Sequence, residues 1–211
     1  MNKNIKQIFK ILRENYKPFN FDSREPFKVL VTTILSQRTR DEKTALASRQ
    51  LFKIIKNPKD VLKIDPELIE KAIKPSGFYK VKTKRIIDIS KQLVENHNCR
   101  VPTTIEELLK FKGVGRKTAN AVLSFAFNKP AIVVDTHVRR ISNRMGLVKT
   151  KTPEQTEMEL RKVLPKEYWA DINELLVLHG QTICRPIKPR CNECEIEKYC
   201  EKRTSDTRVS G

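Results

Sequence analysis

The chain has 211 residues, enough for one or two domains with a true core, and its 43 lysines and arginines against 25 acidic residues give a formal charge of +18. That excess suits a polyanion, most commonly nucleic acid, with a merely basic soluble protein as the alternative. No apolar run approaches the roughly 18 residues of a membrane helix, and Met1 to Tyr16 lacks the apolar core of a signal peptide; this argues against a membrane protein and points to the cytoplasm, nucleoid-associated if prokaryotic.

In chain order the pattern is almost wholly helical. Phe27, Leu30, Val31, Ile34 and Leu35 share one helix face. Asp65-Pro66 reads as an N-cap with proline at the first helical position. The run Lys80-Val81-Lys82-Thr83-Lys84-Arg85 reads as folded basic surface. Thr104 with Glu107 predicts a capping box opening a helix from Glu106 to about Lys110. Ala119, Val122, Leu123 and Ala126 form another apolar face. A break at Asn128-Lys129-Pro130 is followed by Ile132-Val133-Val134, too short to imply a sheet. Thr152-Pro153-Glu154-Gln155 repeats the cap-plus-proline signal, and the polar tail after Lys202 is expected to fray.

The chemistry concentrates in three segments. Lys112-Gly113-Val114-Gly115-Arg116-Lys117 lies between two helical patterns and predicts a tight hairpin that opens a helix. Glycine lets the backbone approach a ligand closely. The first amides of the new helix have no intrahelical partner and sit at the positive end of its dipole, which suits a phosphate. Such contacts position DNA without reading sequence; a plain helix–turn–helix corner is the alternative. Lys117 is a cation in the first turn, where it is disfavoured by about 0.3–1 kcal/mol. The same field is expected to favour its neutral amine, the form a nucleophile needs; a solvated lysine contacting phosphate is the alternative.

Asp135, in Val134-Asp135-Thr136-His137, follows an apolar run, so its carboxylate is expected to be partly buried and partnered. It suits stabilising positive charge on a sugar, shuttling protons, or capping the helix that starts near His137. His137 reads as a structural hydrogen-bonding residue, and Arg139 and Arg140 fit phosphate contacts or ordinary surface charge. Cys184, Cys191, Cys194 and Cys200 give C-x6-C-x2-C-x5-C. Four thiolates so spaced suit a [4Fe–4S] cluster, with zinc the alternative because one C-x2-C pair is present where structural zinc more often uses two. Lys188, Arg190 and Lys198 lie in or beside that loop as a possible basic knob, and Cys99 is a bystander.

Together these residues resemble the endonuclease III family of helix–hairpin–helix DNA glycosylases, over nearly the whole chain from about Phe19 to Cys200. Gly-Val-Gly-Arg-Lys-Thr-Ala-Asn matches the family's hairpin signature, with Phe111-Lys112 in place of its usual Leu-Pro; Val-Asp-Thr-His and the cysteine spacing match as well. The resemblance implies an all-α, two-lobed fold with DNA in the cleft. Residues 18–129 would form a six-helix barrel lobe with the hairpin at 112–117. Residues 1–17 and 130–211 would form a discontinuous iron–sulfur lobe with its cluster loop at 184–200.

Carried over residue by residue, the resemblance makes Lys117 the nucleophile and Asp135 the essential carboxylate. Gly113, Val114, Gly115, Arg116 and Arg139 would contact DNA, and the four cysteines would hold a [4Fe–4S] cluster. Leu35-Ser36-Gln37-Arg38-Thr39-Arg40-Asp41 resembles the loop that plugs the gap left by a flipped base. Gln37 and Arg38 compete for that role, with the register favouring Arg38. Ser76-Gly77-Phe78-Tyr79 resembles a second such loop, with Phe78 as wedge or as an ordinary core aromatic. The implied activity is excision of oxidised, ring-saturated pyrimidines with abasic-site lyase cleavage, by a monomer acting on double-stranded DNA containing damaged bases or abasic sites. A mismatch glycosylase, a non-catalytic DNA-binding module and a zinc-stapled scaffold are the competing readings.

Overall fold

Local signals place most of the helix starts. The computed structural model describes residues 4–17 and 24–202. Among them lie α1 (Ile5–Asn15), α2 (Pro26–Ser36), α3 (Asp41–Ile54), α4 (Pro58–Lys63), α5 (Pro66–Ile73), α6 (Tyr79–Asn96), α7 (Ile105–Leu108), α8 (Arg116–Phe125), α9 (Thr136–Arg144), α10 (Pro153–Val163) and α11 (Asp171–Thr182), with no β-strand. Pro26, Pro58, Pro66 and Pro153 each open a helix, where a missing N–H costs nothing and φ is already set. Asn57–Asp60 and Thr152–Gln155 complete reciprocal capping boxes. Thr104 caps α7 by accepting the Glu107 N–H, but the reciprocal half of the expected capping box is replaced: Glu107 Oε2 accepts from the Thr104 hydroxyl at 2.7 Å and not from its backbone N–H. That helix starts and ends earlier than expected, and a turn from the Phe111 N–H to the Leu108 carbonyl leads into the hairpin.

The chain divides into two units, Phe21–Asn128 and Met1–Asn20 with Lys129–Gly211. In the first, α2 packs against α3, α6 and α8, and α6 against α4 and α5. Leu30, Ile34, Leu51, Ile69, Ile86 and Val122 are buried there. In the second, α9 packs on α10 and α11, and α1 docks on α11. Phe9 stacks on Tyr168 at 4.3 Å between centroids, and Arg13 Nε donates to Asp171 Oδ2 at 2.7 Å. Each large apolar side chain so buried stabilises its unit by about 1.5–3 kcal/mol. The tail after Lys202, the resemblance's start at Phe19 and the expected boundary at residue 18 lie outside the described residues.

One expectation is corrected. The run 80–85 is not uniformly surface: Lys82 and Thr83 are each 2% exposed. Residues 82, 83, 86, 89, 90 and 93 form the inward face of α6, and that register turns Lys82 into the unit despite its charge.

Candidate active site and metal centre

The hairpin uses its two glycines differently. Gly113 has φ +88°, the left-handed region, and a Cβ there would lie 2.7 Å from Arg85 Cδ. Gly115 has φ −95°, open to any residue, and an added Cβ would meet nothing within 4 Å. The fold of this unit thus requires the first glycine but not the second, and the bare backbone at Gly115 stays open to approach from outside. Val114 is buried, and its N–H donates to the Phe111 carbonyl at 3.0 Å, which closes the hairpin.

Gly115 is also the N-cap of α8, with no side chain capping the helix and no acidic residue in its first turn. Arg116 and an exposed Lys117 occupy that turn instead. An uncapped start with two cations is locally unfavourable, and it is a ready anion site.

The two expected gap-filling candidates separate. Gln37 Nε2 donates to the Gly113 carbonyl at 3.0 Å and to Thr118 Oγ1 at 3.3 Å, while its Oε1 accepts from Arg85 Nη1 at 2.9 Å. Both ends of that amide are engaged at the hairpin. Arg38 is exposed, with φ +52°. Its guanidinium carbon lies 5.9 Å from the ring centroid of Phe78, which has φ +58°. Phe78 is 62% exposed, which overturns the core-aromatic alternative. In the sequence, Arg85 and Lys82 read only as basic surface.

In the other unit, Ala131 to Val134 are buried and lead to a half-buried Asp135. Asp135 is the N-cap of α9, and its Oδ1 accepts the Val138 N–H at 2.8 Å. The capping alternative therefore holds, and it occupies one of two carboxylate oxygens. His137 Nδ1 lies 3.3 Å from Arg140 Nη2. Arg140 donates to the Cys184 carbonyl at 2.8 Å, and Arg139 Nη1 to the Lys151 carbonyl at 3.0 Å. The two arginines thus have intramolecular roles that the sequence does not display. Lys117 and Asp135 belong to different units.

The four cysteines, all half-buried, line one cavity of about 340 Å³. Two short 3₁₀ turns, Cys191–Glu193 and Glu197–Tyr199, carry the loop around it. Arg144 binds the loop: its guanidinium donates to the Arg185 and Pro186 carbonyls at 2.7 and 2.8 Å and to Cys184 Sγ at 3.5 Å. The Lys202 N–H donates to Cys200 Sγ at 3.4 Å. His179 Nε2 lies 3.8 Å from Cys194 Sγ, with the Tyr16 hydroxyl 3.0 Å from Nδ1. Burial and the Arg140 charge hold His179 down to about 4, so its ring is neutral at physiological pH.

Burial pushes Cys194 up to about 11 and raises Cys200 as well. These thiols stay protonated until a cation displaces their protons. Among the described residues no three His, Cys, Asp or Glu side chains close on one metal ion. Four soft thiol donors around one cavity, with N–H groups aimed at the sulfurs of Cys184 and Cys200, are a donor set that fits a thiolate-held metal centre. Arg144 and Tyr16 carry no local sequence signal, because Cys184 and His179, which they meet, lie far along the chain, and His179 passes over the nearby Cys184 to meet Cys194.

Comparison with known proteins gives the same grouping. Residues 31–166 match the family described as HhH-GPD superfamily base excision DNA repair protein. The chain is 51% identical over 196 residues to endonuclease III of Thermotoga maritima, covering 92% of each. The structure superposes on a trapped endonuclease III–DNA covalent intermediate with a TM-score of 0.87, at 31% identity over 96% of both chains. On a thermostable thymine-DNA glycosylase the TM-score is 0.84, at 26% identity over 95% of this chain and 97% of that one. The chain belongs to the endonuclease III family of the HhH-GPD superfamily of base excision DNA repair proteins.

Proposed function

We propose that this protein is a bifunctional DNA glycosylase and abasic-site lyase of base excision repair, that it excises oxidised, ring-saturated pyrimidines from duplex DNA, and that Lys117 is its nucleophile. The observation that carries the reading is an exposed lysine in the uncapped first turn of α8, directly after a hairpin with open backbone. The lysine lone pair forms an N–C1′ bond as the glycosidic bond breaks; the base leaves with the pair of that broken bond and takes up a proton, and the attached amine loses one. The sugar ring opens to a Schiff base, which acidifies the C2′ proton. Loss of that proton expels the 3′ phosphate and cuts the strand by β-elimination. A damaged base that stacks poorly is cheaper to extrude, which favours ring-saturated pyrimidines.

Asp135 stabilises positive charge on the sugar as the base departs, with its second oxygen available while the first caps α9. The amides of Gly113, Gly115 and Arg116 hold a backbone phosphate, with Arg139 as a further contact, while the Val114 amide stays bonded to the Phe111 carbonyl. Arg38 and Phe78 fill the gap left by the flipped base, and Gln37 supports the hairpin from within. Cys184, Cys191, Cys194 and Cys200 would hold a [4Fe–4S] cluster, whose bonds to the four sulfurs would staple the 184–200 loop. That loop presents Lys188, Arg190 and Lys198, all exposed, towards a polyanion. The unit Phe21–Asn128 would be the hairpin lobe and the remainder the cluster lobe. The protein would act as a monomer on chromosomal DNA in the cytoplasm; no described helix is long and apolar enough to cross a membrane.

The test is borohydride trapping on a duplex containing one dihydrouracil. Wild type is expected to form a covalent adduct, with Lys117→Gln and Asp135→Asn giving little or none. Base release without an adduct would favour a second reading, a water-activating mismatch glycosylase, for which the likeness to a thymine-DNA glycosylase speaks. Neither release nor adduct, on this or an abasic duplex, would leave a DNA-binding module.

A further inference from the structure

We propose that Lys82 is a positioning residue whose buried side chain ties the loop after α2 to the loop before α6, holding Arg38 and Phe78 as one rigid pair. This rests on the reading that those two residues fill the gap in DNA.

Lys82 Nζ donates to the Leu35 carbonyl at 2.7 Å, to Thr39 Oγ1 at 2.8 Å and to Ser76 Oγ at 3.0 Å. An ammonium has three protons, and all three are used. Leu35 and Thr39 bracket Arg38, and Ser76 lies two residues before Phe78. The backbone N–H of Lys82 donates to the Phe78 carbonyl at 3.1 Å, so one residue holds both loops. Ser76 Oγ lies 3.4 Å from the Leu35 carbonyl, closing the same network. One turn further along α6, Arg85 grips Gln37, which in turn holds the Gly113 carbonyl.

Two features set this lysine apart from ordinary packing. A buried ammonium is expensive where an aliphatic side chain would pack without desolvating a charge, so stability alone does not account for it. The tips it holds, Arg38 at φ +52° and Phe78 at φ +58°, are non-glycine residues in the left-handed region, and such conformations persist only where surrounding structure over-determines them. Burial and the nearby Arg85 lower Lys82 to about 8, which leaves it protonated at neutral pH with all three donors in place. A pair held rigidly before DNA arrives enters the gap without an ordering step, which should speed excision from duplex.

The test compares Lys82→Met, the double variant Ser76→Ala/Thr39→Val, Arg38→Ala and Phe78→Ala. Single-turnover excision of dihydrouracil from duplex is measured beside strand cleavage at an abasic site in single-stranded DNA, where Lys117 is needed but no gap is filled. A 2-aminopurine opposite the lesion reports displacement of the facing base. Lys82→Met and the double variant should each lose about tenfold or more in the saturated single-turnover rate on duplex with the half-saturating enzyme concentration nearly unchanged, and lose the 2-aminopurine signal, while single-strand cleavage stays within about twofold. Should Lys82→Met fail to fold, the double variant, which removes two acceptors by small changes, decides the matter. Parallel loss on both substrates, or no loss on duplex, overturns the positioning role. Full activity of Arg38→Ala and Phe78→Ala would instead sink the gap-filling reading. Loss in those two variants with none at Lys82 would sink the Lys82 inference alone.

Discussion

Helices α8 and α10 begin in opposite ways. Thr152 and Gln155 close the start of α10 reciprocally, Pro153 takes its first position and Glu154 complements its dipole. The start of α8 has a glycine cap without a side chain, no acidic residue, and Arg116 and Lys117 in the first turn. One helix satisfies its own amides and field by local side chains, whereas the other has neither a side-chain cap nor an acidic first turn. The start of α9 lies between these extremes, since Asp135 caps it with a single oxygen. The difference teaches that a break in local helix rules marks the places to test for function first.

The comparison can be broken at each of these three helix starts. The largest effect is expected at Lys117: Lys117→Gln should lower excision roughly 10³-fold or more while leaving the melting temperature nearly unchanged, because the side chain is exposed. A large drop in stability would make it a structural lysine. At Asp135, asparagine remains a good cap but carries no charge. Asp135→Asn should cost roughly 10²–10³-fold in kcat with thermal stability nearly retained, whereas Asp135→Ala should lose about 1 kcal/mol of stability as well.

Gly115→Ala should weaken DNA binding by roughly tenfold, about 1.4 kcal/mol, with little change in unfolding. Gly113→Ala should destabilise the protein itself by about 1–3 kcal/mol, because φ is left-handed there and the new Cβ strikes Arg85. At α10, Thr152→Ala should cost about 1 kcal/mol in denaturant unfolding and leave excision unchanged.

The smallest effect concerns pH. Folding lowers Lys82 from 10.5 to about 8, so the unfolded chain binds more protons between those values and stability should rise with pH across that window. Thermal melts should show this rise in wild type and lack it in Lys82→Met. A rise of equal size in both would assign it to other groups.

The parts of this protein legible in its sequence are those decided within a few residues. Asp65-Pro66 and Thr152-Pro153-Glu154-Gln155 start helices because caps act over one turn. The two glycines, Lys117, Asp135 and the cysteine spacing are visible because their geometry is built from neighbouring residues. Tertiary structure alone decided the rest. Gln37 and Arg38 are adjacent and both polar, yet only packing against Arg85 and Gly113 turns one inward and leaves the other exposed. Phe78 stands out in solvent although its composition suits a core. Lys82 sits among flanking basic residues and is buried by the register of α6, where Leu35, Thr39 and Ser76 supply acceptors from two other loops. His179 meets Cys194 of the loop from α11, and Tyr16 meets His179 from the end of α1. In each case the deciding partner is far away in the chain, and its position depends on how whole helices pack, which no local pattern encodes.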